Sequence, residues 1–151
     1  MLLLQESVKW QDGNTMSPLM FRKKCYNHSY LGRITLPFHI KENGKVIGSV
    51  GLHESWANGD SEYSHLKMKN VGFVLSKDYW GKGLMPEAVA AVIRFCFDEC
   101  NLDALTCGHS PTNSQSKRVI EKCGFSYVKQ SEYFDEQLQM TFNGMRYILF
   151  R

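Results

Sequence analysis

No stretch of the 151-residue chain approaches the roughly 18 consecutive apolar residues of a membrane-spanning helix. The opening Met1 to Leu4 is too short for the apolar core of a signal peptide, and Gln5 and Glu6 stand where a cleavage region would follow. A cytoplasmic protein with no membrane partner is expected. Paired metal-ligand spacings are also missing. The five cysteines, Cys25, Cys96, Cys100, Cys107 and Cys123, are odd in number and scattered. Cys96 and Cys100 are four apart, but no second Cys or His pair would complete a tetrahedral site with them. They read as reduced core thiols, and no metal is expected. A net charge of +3 gives little steering unless it is focused in a cleft. The basic run Arg22-Lys23-Lys24 lacks the aromatic ladder that stacks bases, which argues against nucleic acid as a partner. Internal repeats and linkers are absent as well.

What is present is an ordinary globular mixture, 43% apolar and 22% charged. A chain of this length forms about one domain and can bury roughly 68–70% of its unfolded surface. One domain over residues 1–151 is expected, with residues 1–33 as a poorly defined opening segment. That segment holds turn signals at Asp12-Gly13-Asn14 and Ser17-Pro18 around a short candidate helix, without a clear period. From Thr35 the pattern sharpens. Leu36, Phe38 and Ile40 alternate, Asn43-Gly44 turns the chain, and Val46, Gly48, Val50 and Leu52 alternate again, as in a β-hairpin. Residues 57–69 are polar and read as a surface loop, and Val71 to Leu75 as a buried strand.

Pro86 opens a helix in which Ala88, Val89, Ala91, Val92, Phe95 and Cys96 recur at helical spacing as far as about Cys100. Ala104 to His109 reads as a strand. Thr112-Asn113-Ser114-Gln115 matches a capping box, and Gly124 a left-handed stop for the helix it opens. Phe125 to Val128 and Met145 to Phe150 give two last strands. The order of elements predicts an α/β or α+β sheet with helices packed on it.

The segment carrying most information is Asp78-Tyr79-Trp80-Gly81-Lys82-Gly83-Leu84-Met85-Pro86, a glycine-rich turn between a buried strand and a strong helix. The first backbone N–H groups of a helix have no intrahelical acceptor, and the positive end of its dipole faces outward, so such a turn is an anion site. Two glycines let the backbone approach a phosphate closely. The chain has no Gly-x-x-x-x-Gly-Lys-Ser/Thr, which excludes a Walker loop, and no Gly-x-Gly-x-x-Gly with a downstream acid, which excludes a dinucleotide fingerprint. The pyrophosphate of coenzyme A is the remaining well-known ligand of a strand, Gly-x-Gly, helix unit.

The segments NVGFVLSKDYWGKGLMPEA and NSQSKRVIEKCGF resemble the two signature regions of the GNAT acetyltransferases, in particular the branch of ribosomal-protein alanine N-acetyltransferases. The resemblance covers roughly Thr35 to Arg151. It implies a mixed, mostly antiparallel central sheet flanked by helices, with splayed strands at the coenzyme site. It also implies transfer of an acetyl group from acetyl-CoA to a primary amine, by direct attack in a ternary complex. The acceptor would be a small-molecule amine or a protein N-terminus.

On this resemblance the backbone of Phe73, Val74 and Leu75 receives the pantetheine arm, with an N–H near Val74 or Leu75 as oxyanion donor. Trp80 and the N–H groups of Gly81, Lys82, Gly83, Leu84 and Met85 form the pyrophosphate loop, and Asn113 and Ser116 meet the coenzyme arm. Many members carry a tyrosine general acid where this chain has Ile120, so Ser116 becomes the candidate proton donor to the thiolate. The glutamate often found before the strand glycine is Asn70 here, which leaves Glu54, His53 and His109 as candidate bases at strand ends. The family also opens with a strand and helix that wall the acceptor site. Residues 1–33 do not show them clearly, which leaves two readings: a degenerate strand and helix, or a shortened fold whose wall the partner subunit of a homodimer completes. The departures at Ile120 and Asn70 motivate an alternative, a catalytically silent acyl-CoA sensor.

Overall fold

The computed structural model describes residues 8–9, 15–16, 34–39, 45–135 and 138–151. Two short strands, β1 (Val8–Lys9) and β2 (Thr15–Met16), pair with each other. The other strands are β3 (Ile34–His39), β4 (Val46–His53), β5 (Met68–Leu75), β6 (Ala104–His109), β7 (Ser126–Asp135) and β8 (Met140–Phe150). They form one six-stranded sheet in the order β3-β4-β5-β6-β8-β7. All neighbours are antiparallel except β5 and β6. Among the described residues two α-helices, α1 (Leu84–Asp98) and α2 (Ser114–Lys122), complete the mixed α/β fold. The turn at Asn43-Gly44, the turns and helix expected before Arg33, and Cys25 lie outside the described residues.

The hairpin pattern appears as β3 paired with β4, from Ile34 opposite Leu52 to His39 opposite Val46. Pro37 is tolerated because β3 is an edge strand of the sheet. Helix α1 starts two residues before Pro86, which occupies the third helical position, where a missing N–H is still harmless. Its buried Met85, Ala88, Val89, Val92 and Cys96 follow the helical period. They pack on Val50, Val71, Leu105 and Tyr147 of the sheet, with Ile120 of α2 in the same cluster.

Three sequence expectations need correction. The polar stretch 57–69 is not all surface. Ala57 is fully buried and packs with Met68, Ala104 and Ile148, flanked by Trp56, Tyr63 and Leu66. Strand alternation puts this cluster on the side of the sheet facing away from the first, since Ala104 precedes Leu105. The final hairpin reaches well beyond Val128 and Met145, as β7 and β8 pair from Ser126↔Ile148 to Asp135↔Met140. Its outer part exposes Tyr133, Phe134 and Met140, so burial imposes no alternation there. The cap of α2 is Asn113 rather than Thr112: Asn113 Oδ1 accepts from Ser116 N–H at 3.0 Å, while the Thr112 hydroxyl meets Ser110 Oγ at 3.1 Å. Gly124 does end that helix in the left-handed region, at φ 86°.

The feature that positions the site is a divergence. Strands β5 and β6 share the pairs Met68↔Ala104, Lys69↔Leu105 and Asn70↔Thr106 and then separate. Beyond Asn70, β5 stays on β4 as far as Leu75, and β6 stays on β8 as far as His109. The Ser76 N–H donates to Ile47 O at 2.8 Å, and backbone direction alternates along an antiparallel ladder. The backbone of Val74 is therefore committed to β4, whereas Phe73 and Leu75 aim theirs into the split.

Cys107 closes the base of the split, its thiol donating to Val71 O at 3.1 Å. Burial pushes this thiol up from the ordinary 9.0 to about 12. The folded state thus keeps a proton that the unfolded chain releases, and the resulting stability is present below pH 9.0 and lost as pH rises toward 12. From this one group the expected slope is about 1.4 kcal/mol per pH unit through most of that window. Urea unfolding of the wild type and of Cys107→Ser checks it: the wild type should lose its advantage as pH climbs. A constant difference would mean that the thiol ionises in place.

Candidate functional site

The end of β5 leads through a 3-10 turn, Lys77–Tyr79, into the glycine loop. Gly81 and Gly83 both take positive φ, 77° and 76°, a region that costs other L-residues about 1–2 kcal/mol. Gly83 is the N-cap of α1 and has no side chain to cap the helix. The first helical bond of this turn is Glu87 N–H to Gly83 O, at 3.2 Å. The N–H groups of Gly83, Leu84 and Met85 accordingly have no acceptor within the helix and carry its positive dipole end. A Cβ built at either loop glycine meets nothing within 4 Å. The glycines therefore serve backbone conformation and leave open space beside it. Trp80 fastens the loop to the strand, its indole N–H donating to Leu75 O at 2.9 Å.

In front of this loop lies a cleft of about 310 Å³. Its walls bring together Phe73, Val74 and Leu75 of β5, then Trp80, Gly81, Gly83, Leu84 and Met85 of the loop and helix start. Asn113 and Ser116 of α2 close it from the other side. Two segments separated by most of α1 and the whole of β6 thus share one groove. Lys82 is the loop residue that does not line it; its ammonium sits 5.1 Å from the centre of the Tyr79 ring. Sequence reasoning missed Tyr79, Gln115, Arg118 and Lys122, which also line the cleft. Arg118 and Lys122 are four apart, hence stacked on one helix face, and that spacing was a usable signal. They bring positive charge to a groove that already carries a helix dipole. Asn113 spends its Oδ1 on the cap, and the hydroxyl of the half-buried Ser116 has no partner among the described residues.

The three candidate bases stand apart from the cleft walls. Glu54 follows the end of β4, beside the pair His53↔Asn70. Its Oε1 accepts from Lys69 Nζ at 2.7 Å, and its Oε2 from Asn58 Nδ2 at 2.7 Å. The His53 ring covers Gly72, where a Cβ would come within 3.0 Å of Nε2. His109 lies at the far end of β6, on the open arm of the split. Its Nδ1 is 2.7 Å from Ser110 O, which can only accept, so Nδ1 carries the proton. Nε2 then accepts from the Tyr147 hydroxyl at 3.2 Å. Burial raises the pKa of that phenol and keeps it protonated. Both ring nitrogens of His109 thus have protein partners, and the residue is not among those that line the cleft. Ile120 is 1% exposed and fills the core between α2 and the sheet.

Among the described residues, no group of His, Cys, Asp and Glu could hold a metal ion. Among the same residues, no helix is long and apolar enough to cross a membrane.

A family model for the Acetyltransferase (GNAT) domain matches residues 5–126, most of the opening segment included. The protein named Probable N-acetyltransferase YjcK, from Bacillus subtilis, is 44% identical over 81 residues, covering 54% of this chain and 41% of that protein. Among solved structures, a ribosomal-protein-S5-alanine acetyltransferase from Vibrio fischeri superposes with a TM-score of 0.64 at 22% identity. That match covers 78% of this chain and 61% of the other. RimJ of Mycobacterium smegmatis, solved in complex with CoA-disulfide, gives a TM-score of 0.61 at 20% identity over 77% of this chain and 53% of its own. The chain therefore spans less than two thirds of each of these relatives. The extent of the family match, together with a splayed sheet and a glycine loop opening onto α1, shows that this chain belongs to the GNAT acetyltransferase family.

Proposed function

We propose that this chain transfers an acetyl group from acetyl-CoA to a primary amine, either a protein N-terminus or a small-molecule amine, by direct attack in a ternary complex. The observation that carries this reading is the single cleft joining the open edge of β5, the glycine loop at the start of α1 and the Asn113–Ser116 turn of α2. The coenzyme pyrophosphate would rest on the N–H groups from Gly81 to Met85, with Arg118 and Lys122 supplying counter-charge. The pantetheine arm would run along β5, using the backbone of Phe73, the Leu75 N–H and the free amide of Asn113. Leu75 O is already taken by Trp80. The CoA-disulfide bound to the Mycobacterium smegmatis neighbour and the alanine acceptor named for the Vibrio fischeri neighbour both support the assignment.

The chemistry follows from these groups. The amine reaches the thioester as its free base, and its nitrogen lone pair attacks the carbonyl carbon. The carbonyl electrons move to oxygen, the tetrahedral adduct collapses, and the thiolate departs with a proton from Ser116, whose hydroxyl is restored by a proton from water. Glu54, next to the His53↔Asn70 pair, takes the amine proton through water.

Thermal unfolding with and without acetyl-CoA tests the first half. Coenzyme at about 100 times its dissociation constant should add roughly 2.7 kcal/mol of stability. No shift would overturn the reading. Thiol release with a panel of amines and peptides tests the second half. Tight binding without turnover above hydrolysis would favour the alternative, a silent acyl-CoA sensor.

A further inference from the structure

The pair Asn70↔Thr106 is the last one that β5 and β6 share before they separate. Both residues stand at the apex of the split, and their side chains are linked. Thr106 is fully buried, and its hydroxyl lies 2.9 Å from Ser55 Oγ and 3.1 Å from Asn70 Oδ1. Ser55 Oγ accepts the Ala57 N–H at 3.1 Å.

Donor and acceptor counting gives this chain a direction. Two oxygens that can only accept face the one Thr106 proton, Asn70 Oδ1 at 3.1 Å and Lys69 O at 3.5 Å, and the shorter contact takes it. The Thr106 oxygen then receives the proton of Ser55, whose own lone pair receives the Ala57 N–H. The sequence is Ala57 N–H, Ser55 O–H, Thr106 O–H, Asn70 O. It holds the Asn70 amide in one of its two orientations. The Nδ2 group, the other end of the half-buried amide, has no acceptor among the described residues.

We propose that Asn70 is a catalytic residue of the transfer reaction, its Nδ2 donating to the thioester oxygen as that oxygen becomes negative, and that Thr106 and Ser55 are positioning residues that lock the amide for this purpose. The inference rests on the acetyl-transfer reading. Five residues of β5 separate Leu75, beside the pyrophosphate loop, from Asn70, about 16 Å of strand. An extended pantetheine arm is of that length, so a thioester carried along β5 past Phe73, where the cleft wall on this strand stops, reaches the apex.

As the amine attacks, the carbon–oxygen π pair moves to oxygen, and the Nδ2–H bond to it shortens without transferring its proton. Collapse re-forms the carbonyl, breaks the carbon–sulfur bond and expels thiolate, which takes a proton from Ser116 as that hydroxyl takes one from water. The amine proton leaves through water. Asn70 ends the cycle unchanged. A fixed donor aimed at developing charge contributes most in the transition state and little to ground-state binding.

The test uses the full chain, acetyl-CoA and hydroxylamine, a small nucleophile that is unprotonated at neutral pH, with thiol release as the readout. Asn70→Ala should lower kcat by about 100-fold or more, while the acetyl-CoA dissociation constant changes less than about 3-fold. Thr106→Val keeps the shape but removes the lock, and should lower kcat by an intermediate factor with KM unchanged. Asn70→Asp is the variant whose sign decides. It replaces the donor with a carboxylate, so kcat should fall below that of Asn70→Ala. If this position instead lacks a lost general base, Asn70→Asp should be faster than the wild type, and that result overturns the proposal. Unimpaired turnover by Asn70→Ala in an active wild-type background also overturns it and leaves the acetyl-transfer reading intact. A wild type that binds acetyl-CoA but releases no thiol would remove both.

Discussion

Gly83→Asp is expected to weaken acetyl-CoA binding by at least about 100-fold, equivalent to roughly 2.7 kcal/mol. The residue is the N-cap of α1, at φ 76°, and it lines the cleft next to helix N–H groups that have no intrahelical acceptor. A carboxylate here competes with the pyrophosphate for those same N–H groups. It also sets two negative charges near one another, where a separation of about 4 Å at the edge of a protein costs on the order of 4 kcal/mol. Loss of stability does not explain the expected result. A new Cβ meets nothing within 4 Å, and an acid at a helix N-terminus is favourable for the helix. Gly83→Ala supplies the control, since it carries the backbone strain of about 1–2 kcal/mol without the charge. Calorimetric titration of the two variants should show Gly83→Ala binding within about tenfold of wild type and Gly83→Asp hardly at all. Equal affinity in all three would make the loop a tight turn and nothing more.

That loop was legible in the sequence because its determinants are local. Positive φ at Gly81 and Gly83, and the apolar period from Met85 to Cys96, are properties of neighbouring residues. The cap at Asn113 was misjudged by one position, because Thr112 and Asn113 are both competent caps and only the turn itself chooses between them. Harder to see were features that depend on distant partners. Ala57 is buried by Met68, Ala104 and Ile148, and nothing in a polar stretch announces such contacts. The outer β7–β8 hairpin has little buried surface, so backbone pairing holds it without hydrophobic alternation. The direction of the Asn70 amide is set by Thr106, thirty-six residues away in sequence. His109 belongs to the same class. Its type and its place at a strand end suggest a base, and the contacts of its ring with Ser110 O and the Tyr147 hydroxyl are visible only in the fold.

Ser116→Ala should lower kcat by about 100-fold, the lower end of what a positioned general acid contributes. Ser116 is half-buried on the cleft wall, Asn113 fixes its backbone by accepting its N–H, and its hydroxyl has no competing partner among the described residues. Alanine is a better helix former than serine by a few tenths of a kcal/mol, and α2 should be slightly more stable in the variant. A fall in rate therefore cannot be assigned to unfolding. A proton is needed only as the thiolate leaves, so the interaction belongs to the transition state. The kcat and kcat/KM values should drop together, while the acetyl-CoA dissociation constant, measured by thermal shift, stays within about 3-fold. If Ser116→Ala instead turns over as fast as wild type, the thiolate takes its proton from solvent at the open side of the cleft. The serine would then do no more than shape the wall, and the reaction would depend on the apex donor and the pyrophosphate loop alone.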